Sequence, residues 1–319
     1  MDEPPLATVF RRRENDGEPV NDRRLRARLA GGDLVRIAPG AFATRADWEA
    51  LSPMARHAQR VWEAAARARS ELVISHAAAA ALYGIDRIGP WPERIDVSTG
   101  ISSGGRSSGE FRRRGRGDIA HIVGIPWQRH SVTTPLQTAV DLSADSRFLD
   151  GVVALDQALW SKRAAGALVS GAALEEHVGG MSGRGCARAA RAAGFATSLA
   201  DSVRESQSRV LIGMLGFPPP ELQACFVLSN GRDAFTDFFW RDHRHIGEFD
   251  GAGKYRDPQL LRGRTPEEVL LAEKDREDDL RRQVRAFSRW RLPALRSPRA
   301  LYDILHGAGL PTTRPRPGR

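Results

Sequence analysis

The sequence has few residues that would cross-link the chain or anchor it in a membrane. Only two of its 319 residues are cysteines, Cys186 and Cys225. So few cysteines argue against a disulfide scaffold and favour a reducing compartment. Neither cysteine has a metal-ligating neighbour at a useful spacing, so a zinc site is not expected. No apolar run reaches the roughly 18 residues of a membrane-spanning helix. The polar, acidic start Met1–Pro5 does not resemble a signal peptide. The sequence therefore predicts a cytoplasmic protein without a membrane partner.

Positive charge, in contrast, is abundant. The chain has 48 lysines and arginines against 39 aspartates and glutamates, a formal net charge of +9 and a pI of about 10.5. Arginine greatly outnumbers lysine, and its planar guanidinium suits contacts with phosphate. The same usage is also typical of a GC-rich genome. Because net charge informs non-specific binding rather than fold, it leaves both interpretations open.

A basic helix followed by a short hairpin is predicted near the N-terminus. Asn21-Asp22 can cap a helix over residues 23–30. Residues 34–37 and 41–44 are typical of two strands joined by the turn Pro39-Gly40. This is the outline of a winged helix, and we expect its arginines to meet DNA. The alternative is a solvated basic helix without a ligand. The predicted DNA contacts are Arg23, Arg24, Arg26, Arg28 and Arg36.

This segment resembles a known family. Residues 23–31, followed by 34–42, are similar to the helix and wing of AbiEi-type antitoxins of type IV toxin–antitoxin systems. The resemblance implies a winged-helix repressor that binds DNA and has a toxin protein as partner. Four further blocks resemble the central domain of the same proteins: 74–77, 124–126, 133–135 and 141–142.

Carboxylates are concentrated in two segments near residue 240. Read as neighbouring strands, 236–240 and 246–250 place Asp237 on one strand and both Glu248 and Asp250 on one face of the other. Pairing of the strands would bring the three acids together. Neighbouring buried carboxylates need a cation or a proton between them, and Mg²⁺ is the natural ion for an all-oxygen site. In a basic chain, such a site suggests work on a phosphodiester.

The order of elements around these acids carries a second resemblance. Helix, three strands, helix and strand, with an Asp and a Glu-x-Asp on adjacent strands, resembles the restriction-endonuclease-like PD-(D/E)xK fold. The very-short-patch-repair-type nucleases are the most similar members by motif. This resemblance implies that Asp237 and Glu248 hold Mg²⁺ and that Glu205, on the preceding helix, supports the metal or its water.

One position departs from the family pattern. The residue two after the glutamate is usually lysine, which stabilises developing charge, but here it is Asp250. Asp250 would then act as a further metal ligand or as a general base, and Lys254 can reach back from the following turn. The predicted catalytic residues are Asp237, Glu248, Asp250 and Lys254, and the predicted metal ligands are Asp237, Glu248 and Glu205.

Each acid also has a structural interpretation. Glu205 stands three residues after Ser202 and can simply complete a capping box. Glu273 and Glu277 fit a solvated helix face with arginines nearby. Asp237, among aromatic residues, needs a partner. The candidate partners are Arg244, Lys254 and Arg289.

Together these patterns predict an α+β, multi-domain protein. The predicted parts are a degenerate winged-helix-like module (1–45), an antitoxin-like middle domain (46–150), a helical connector (151–197), a nuclease-like domain (198–310) and a disordered tail (311–319). The first functional hypothesis is a DNA-binding regulator that resembles an antitoxin. The alternative is a Mg²⁺-dependent endodeoxyribonuclease. A weaker alternative is a protein that neutralises a toxin by binding it.

Overall fold

The structure is a computed structural model that describes residues 3–6, 8–11, 22–100, 109–115, 122–251 and 265–318. The chain has an α+β architecture, as predicted, with three separate sheets among these residues. It divides into two compact units. The N-terminal unit comprises Met1–Leu159 and Ala167–Ala196, and the C-terminal unit comprises Trp160–Gly166 and Thr197–Arg319. None of the described helices combines the length and the apolar character needed to cross a bilayer.

The N-terminal unit begins with a helix and a small antiparallel sheet. The elements are β1 (Phe10–Arg11), α1 (Asp22–Ala30), β2 (Leu34–Ala38), β3 (Ala41–Thr44) and α2 (Arg45–Ala50). The strand order is β1-β3-β2, so the central strand is β3. Ile37, Ala41 and Ala43 are buried together and hold the hairpin to the rest of this small core. The predicted helix and hairpin are therefore confirmed.

A mixed five-stranded sheet forms the centre of the same unit, in the order β6-β5-β4-β8-β7. Its strands and flanking helices are α3 (Pro53–Arg67), β4 (Val73–Ile74), α4 (His76–Tyr83), β5 (Ile95–Thr99), β6 (Phe111–Gly115), β7 (Gly124–Trp127) and β8 (His130–Thr133). The helices α5 (Pro135–Asp145), α6 (Phe148–Leu159), α7 (Gly171–Gly179) and α8 (Cys186–Ala193) follow. Helices α6 and α8 pack against α5, so most of the segment predicted as a connector belongs to this unit.

The C-terminal unit is built on a four-stranded mixed sheet. Its elements are α9 (Val203–Met214), β9 (Glu221–Val227), β10 (Asp233–Trp240), β11 (His245–Phe249), α10 (Pro266–Gln283), β12 (Ala286–Trp290), α11 (Leu292–Arg296) and α12 (Pro298–Gly307). The strand order is β12-β11-β10-β9. The three strands β9 to β11 form an antiparallel meander, and β12 joins β11 in parallel.

Two apolar clusters pack this sheet. One joins Phe238, Trp240 and Trp290 to α9, α11 and α12. The other is a separate cluster that joins Phe239 and Ile246 of the sheet to Leu280 of α10. A Cβ added at Gly247, in the middle of β11, would lie 2.8 Å from Trp290 and 2.9 Å from Trp240. Only glycine therefore allows both indoles to pack on this strand.

The last residues differ from their prediction. The sequence predicts disorder for 311–319, because the segment is rich in proline and arginine. The structure instead places Thr312 and Thr313 against the end of α9, where the Thr313 amide donates to the Gly216 carbonyl at 3.0 Å. The Thr312 hydroxyl donates to the Leu215 carbonyl at 2.7 Å. These donors satisfy carbonyls that the end of a helix leaves without partners.

Candidate functional site

The predicted acids lie around the junction of β10 and β11. The register pairs Phe238 with Gly247, so Asp237 and Glu248 stand one step further along these two strands. The Asp237 carboxylate accepts a hydrogen bond from the Phe249 backbone amide at 2.8 Å. Asp237 therefore binds the backbone of the strand that carries Glu248.

Glu205 has the capping role that its spacing from Ser202 predicts. The Ser202 hydroxyl accepts from the Glu205 amide at 3.1 Å and donates to the Glu205 carboxylate at 2.8 Å. The second carboxylate oxygen accepts from the Asp201 amide at 2.9 Å. Glu205 thus closes a capping arrangement at the start of α9. Burial raises the pKa of Glu205 to about 7, and the negative charge of Asp237 contributes to this shift.

Two further residues complete the surroundings of Glu205. Gln223, in β9, has its amide nitrogen 3.5 Å from the Glu205 carboxylate. Lys162 donates to the Gln223 side-chain oxygen at 3.1 Å and pairs with the Asp201 carboxylate. Gln223 also has a positive φ of 52°, which is uncommon for a non-glycine residue in a strand. Lys162 lies far from these residues in sequence and in no recognisable motif, so no sequence signal could have assigned it here.

Glu248 belongs to a different set of contacts. Its side chain is buried, and Arg276 Nη2 donates to its two oxygens at 2.8 and 2.9 Å. Arg289 Nη2 donates to Oε2 at 3.0 Å. Arg289, expected as one partner for Asp237, instead contacts Glu248 and Glu277.

The remaining predicted site residues have other partners or lie outside the described residues. The Asp250 carboxylate accepts from Arg291 Nε at 2.7 Å, so it is engaged by a surface arginine. Arg244, another expected partner of Asp237, donates to the Gln283 carbonyl at 2.8 Å. Lys254 lies outside the described residues.

These contacts do not fit the predicted Mg²⁺ site. A divalent ion on Asp237, Glu248 and Glu205 would need open carboxylate oxygens from all three residues. Both Glu248 oxygens are held by guanidinium groups, and the Glu205 oxygens are held at the helix cap. Within the described ranges, no group of at least three His, Cys, Asp or Glu side chains is arranged to hold a metal. The site as described is a pair of neighbouring acids, Glu205 and Asp237, beside an ion-pair network.

The predicted DNA contacts lie in the N-terminal unit. Arg23, Arg24 and Arg26 are exposed on α1, and Arg36 is exposed on β2. Arg28 is half-buried, with its guanidinium 5.6 Å from the centre of the Phe10 ring. Arg28 thus packs α1 against β1 through a cation–π contact, which differs from its predicted contact with DNA.

The acid pair predicts a pH dependence. In the folded chain the pKa of Glu205 is about 7, against an ordinary value of 4.5. Between these values the unfolded chain has released a proton that the folded chain keeps, so stability falls as pH rises through this window. The slope is at most about 1.4 kcal/mol per pH unit. Urea midpoints of the C-terminal unit at several pH values will measure it. Glu205→Gln should remove this component and Asp237→Asn should reduce it, and an unchanged slope in both variants would contradict the assignment.

Comparison with known proteins does not indicate a function for this site. The chain is 32% identical over 147 residues to proteins from two strains of Mycobacterium tuberculosis, each described as uncharacterized. The aligned region is 45% of this chain and 53% of each relative, so the chain spans about half the length of the curated relatives it matches. No family model and no solved structure matches the chain.

Proposed function

We propose that the chain is a DNA-binding regulator that contacts duplex DNA through α1 and the β2–β3 hairpin. The observation that carries this proposal is the joint exposure of Arg23, Arg24 and Arg26 on α1 and of Arg36 on the hairpin that follows it. A helix beside a hairpin, both basic, is the arrangement by which winged-helix proteins approach a groove and its flanking phosphates.

Charge and size are consistent with this role. Residues 22–44 contain five arginines and only two aspartates. The nine residues of α1 make a helix about 13 Å long, which is short enough to lie across the major groove. Arg28 would act as a positioning residue, since its contact with Phe10 fixes the face of α1 that carries the other arginines.

The resemblance to AbiEi-type antitoxins supports a regulator as the biological setting, with a toxin protein as the proposed partner. The C-terminal unit would then add a second DNA-associated surface rather than hydrolysis. Glu248 is neutralised by arginines, which argues for binding without chemistry at that residue. The nuclease alternative keeps one favourable observation, the proximity of Glu205 to Asp237.

Fluorescence anisotropy with a labelled duplex of about three helical turns tests the proposal. We expect Arg23→Gln/Arg24→Gln/Arg26→Gln to weaken binding at least about tenfold and to lower the salt slope by as much as about 2.7, since each lost phosphate contact removes roughly 0.9. The matched control removes three exposed arginines elsewhere in the N-terminal unit: Arg69, Arg147 and Arg184. Equal losses in the two triple variants would reduce the effect to net charge and reject α1 as the contact.

A plasmid-nicking assay in Mg²⁺ or Mn²⁺ tests the nuclease alternative. Nicking that is lost in both Asp237→Ala and Glu248→Ala, while circular dichroism shows both variants folded, would favour hydrolysis at this site. Nicking that persists in both variants would instead point to a contaminant or to other residues. Co-purification from the native host tests for a toxin partner.

A further inference from the structure

The surroundings of Glu248 form a closed network of opposite charges. It links the end of β11 to β12 and to α10. On α10, Glu273, Arg276 and Glu277 lie at spacings of three and four residues, so they share one helix face. The network contains three carboxylates and three guanidinium groups: Glu248, Glu273, Glu277, Arg276, Arg281 and Arg289.

Each carboxylate of this network has a guanidinium at hydrogen-bonding distance. Arg276 spans two acids, since its Nη2 donates to Glu248 and its Nε donates to Glu273 at 2.9 Å. Arg289 spans two more, with Nη2 3.0 Å from Glu248 and Nη1 2.8 Å from Glu277. Arg281 donates to the other oxygen of Glu277 at 2.6 Å. Among these contacts, three guanidinium groups face three carboxylates.

Burial makes these pairs hard to replace. The Glu248 side chain is 8% exposed, and those of Arg276 and Arg289 are 22% and 25% exposed. Burial by itself would lower the pKa of Arg276, but its bonds to Glu273 and the charge of Glu248 raise that pKa above its ordinary value. A Mg²⁺ ion at Glu248 would have to shed water and would leave two partly buried guanidinium groups with one fewer counter-charge.

We propose that Arg276 and Arg289 are built-in counter-ions that take the place of a divalent metal at Glu248. The C-terminal unit then does not bind Mg²⁺ through this residue. The guanidinium groups supply the positive charge that neighbouring buried carboxylates require. Removal of both groups should leave Glu248, Glu273 and Glu277 as an acidic cluster that takes up a divalent cation.

This inference is independent of the proposed contact between DNA and α1, because the test contains no nucleic acid. The probe is Mn²⁺, whose free concentration is followed by electron paramagnetic resonance, with Mg²⁺ as competitor. The full-length wild-type chain is compared with Arg276→Gln/Arg289→Gln, which keeps polar side chains but removes both charges. Arg276→Lys/Arg289→Lys keeps the charges, and Arg241→Gln removes one charge from an exposed pair in the same unit.

We expect the double glutamine variant to bind Mn²⁺ at least about tenfold more tightly than the wild type, a gain of about 1.4 kcal/mol. Adding Glu248→Gln to that variant should abolish the gain, and the lysine and Arg241→Gln variants should behave like the wild type. Wild-type binding that survives Glu248→Gln would also support the proposal, since the metal would then lie elsewhere.

Two results would overturn the inference. The first is saturable Mn²⁺ binding by the wild type that Glu248→Gln removes, because the metal would then displace the arginines. The second is a folded double glutamine variant with no gain in affinity. Circular dichroism checks the fold of every variant. If the double variant does not fold, Arg276→Gln alone and the wild-type comparison with Glu248→Gln decide the question.

Discussion

Replacing Glu248 by alanine is expected to destabilise the C-terminal unit by about 3–5 kcal/mol, which is the usual cost of removing one partner of a buried ion pair. Glu248 is 6% exposed and is held by Arg276 and Arg289. Its removal leaves two partly buried guanidinium groups facing one fewer negative charge. Urea unfolding followed by tryptophan fluorescence measures the loss, and hydrogen exchange of peptides from β10 and β11 assigns it to this unit.

Glu221 provides the matched control in the same sheet. It pairs with Arg241, but the two side chains are 43% and 72% exposed. Glu221→Ala should therefore change the free energy of unfolding by no more than about 1 kcal/mol. If the loss in Glu248→Ala is as small as that in Glu221→Ala, water reaches the Glu248 pairs and screens them as it does at the surface.

Helix starts in this chain can be predicted from the sequence because the signals that begin a helix are local. Ser52, Thr134, Ser202 and Thr265 each precede a helix, and in each case the side-chain oxygen accepts from a backbone amide three residues later. Such a bond depends on a few neighbouring residues. The hairpins of the C-terminal unit are equally local, since their turns are short.

Partners across the sheet cannot be predicted in this way. Strand alternation places Glu248 on a face, but it does not state what packs there. The two arginines that hold Glu248 come from α10 and β12, which are 28 and 41 residues away along the chain. The metal prediction needed three acids to converge, whereas packing brought two arginines to Glu248. Residue spacing predicts which face of a strand or helix carries a side chain. Only the tertiary structure shows which opposite charge lies beside it.

Glu205 has two interpretations, and the structure confirms the first of them, the cap. Its spacing from Ser202 predicts a cap, and the resemblance to nucleases implies that it supports a metal or the metal's water. Hydrogen bonds between Ser202 and Glu205 form the cap. Burial and the charge of Asp237 raise the pKa of Glu205 and so make the stability of the unit depend on pH, whereas the capping hydrogen bonds act to lower that pKa.

Phe238→Ala is expected to cost about 3–5 kcal/mol, the range for truncating a large aromatic side chain in a core. Phe238 is fully buried, and its ring stacks 5.4 Å from that of Trp290 and lies 6.5 Å from that of Trp240. The cavity cannot close easily, because the indoles also pack over Gly247 in the neighbouring strand. The urea midpoint of the C-terminal unit should therefore fall, and hydrogen exchange in β10 should accelerate.

Phe235 tests whether this cost comes from packing rather than from the strand itself. It lies three residues earlier in β10 and is 56% exposed. Phe235→Ala makes the same chemical change in the same strand, and it should alter the free energy of unfolding by less than about 0.5 kcal/mol. A large loss in Phe235→Ala would show that a partner covers this face of β10 in solution. A small loss in Phe238→Ala would mean that the cluster around Trp290 relaxes into the space, contrary to the constraint that Gly247 imposes.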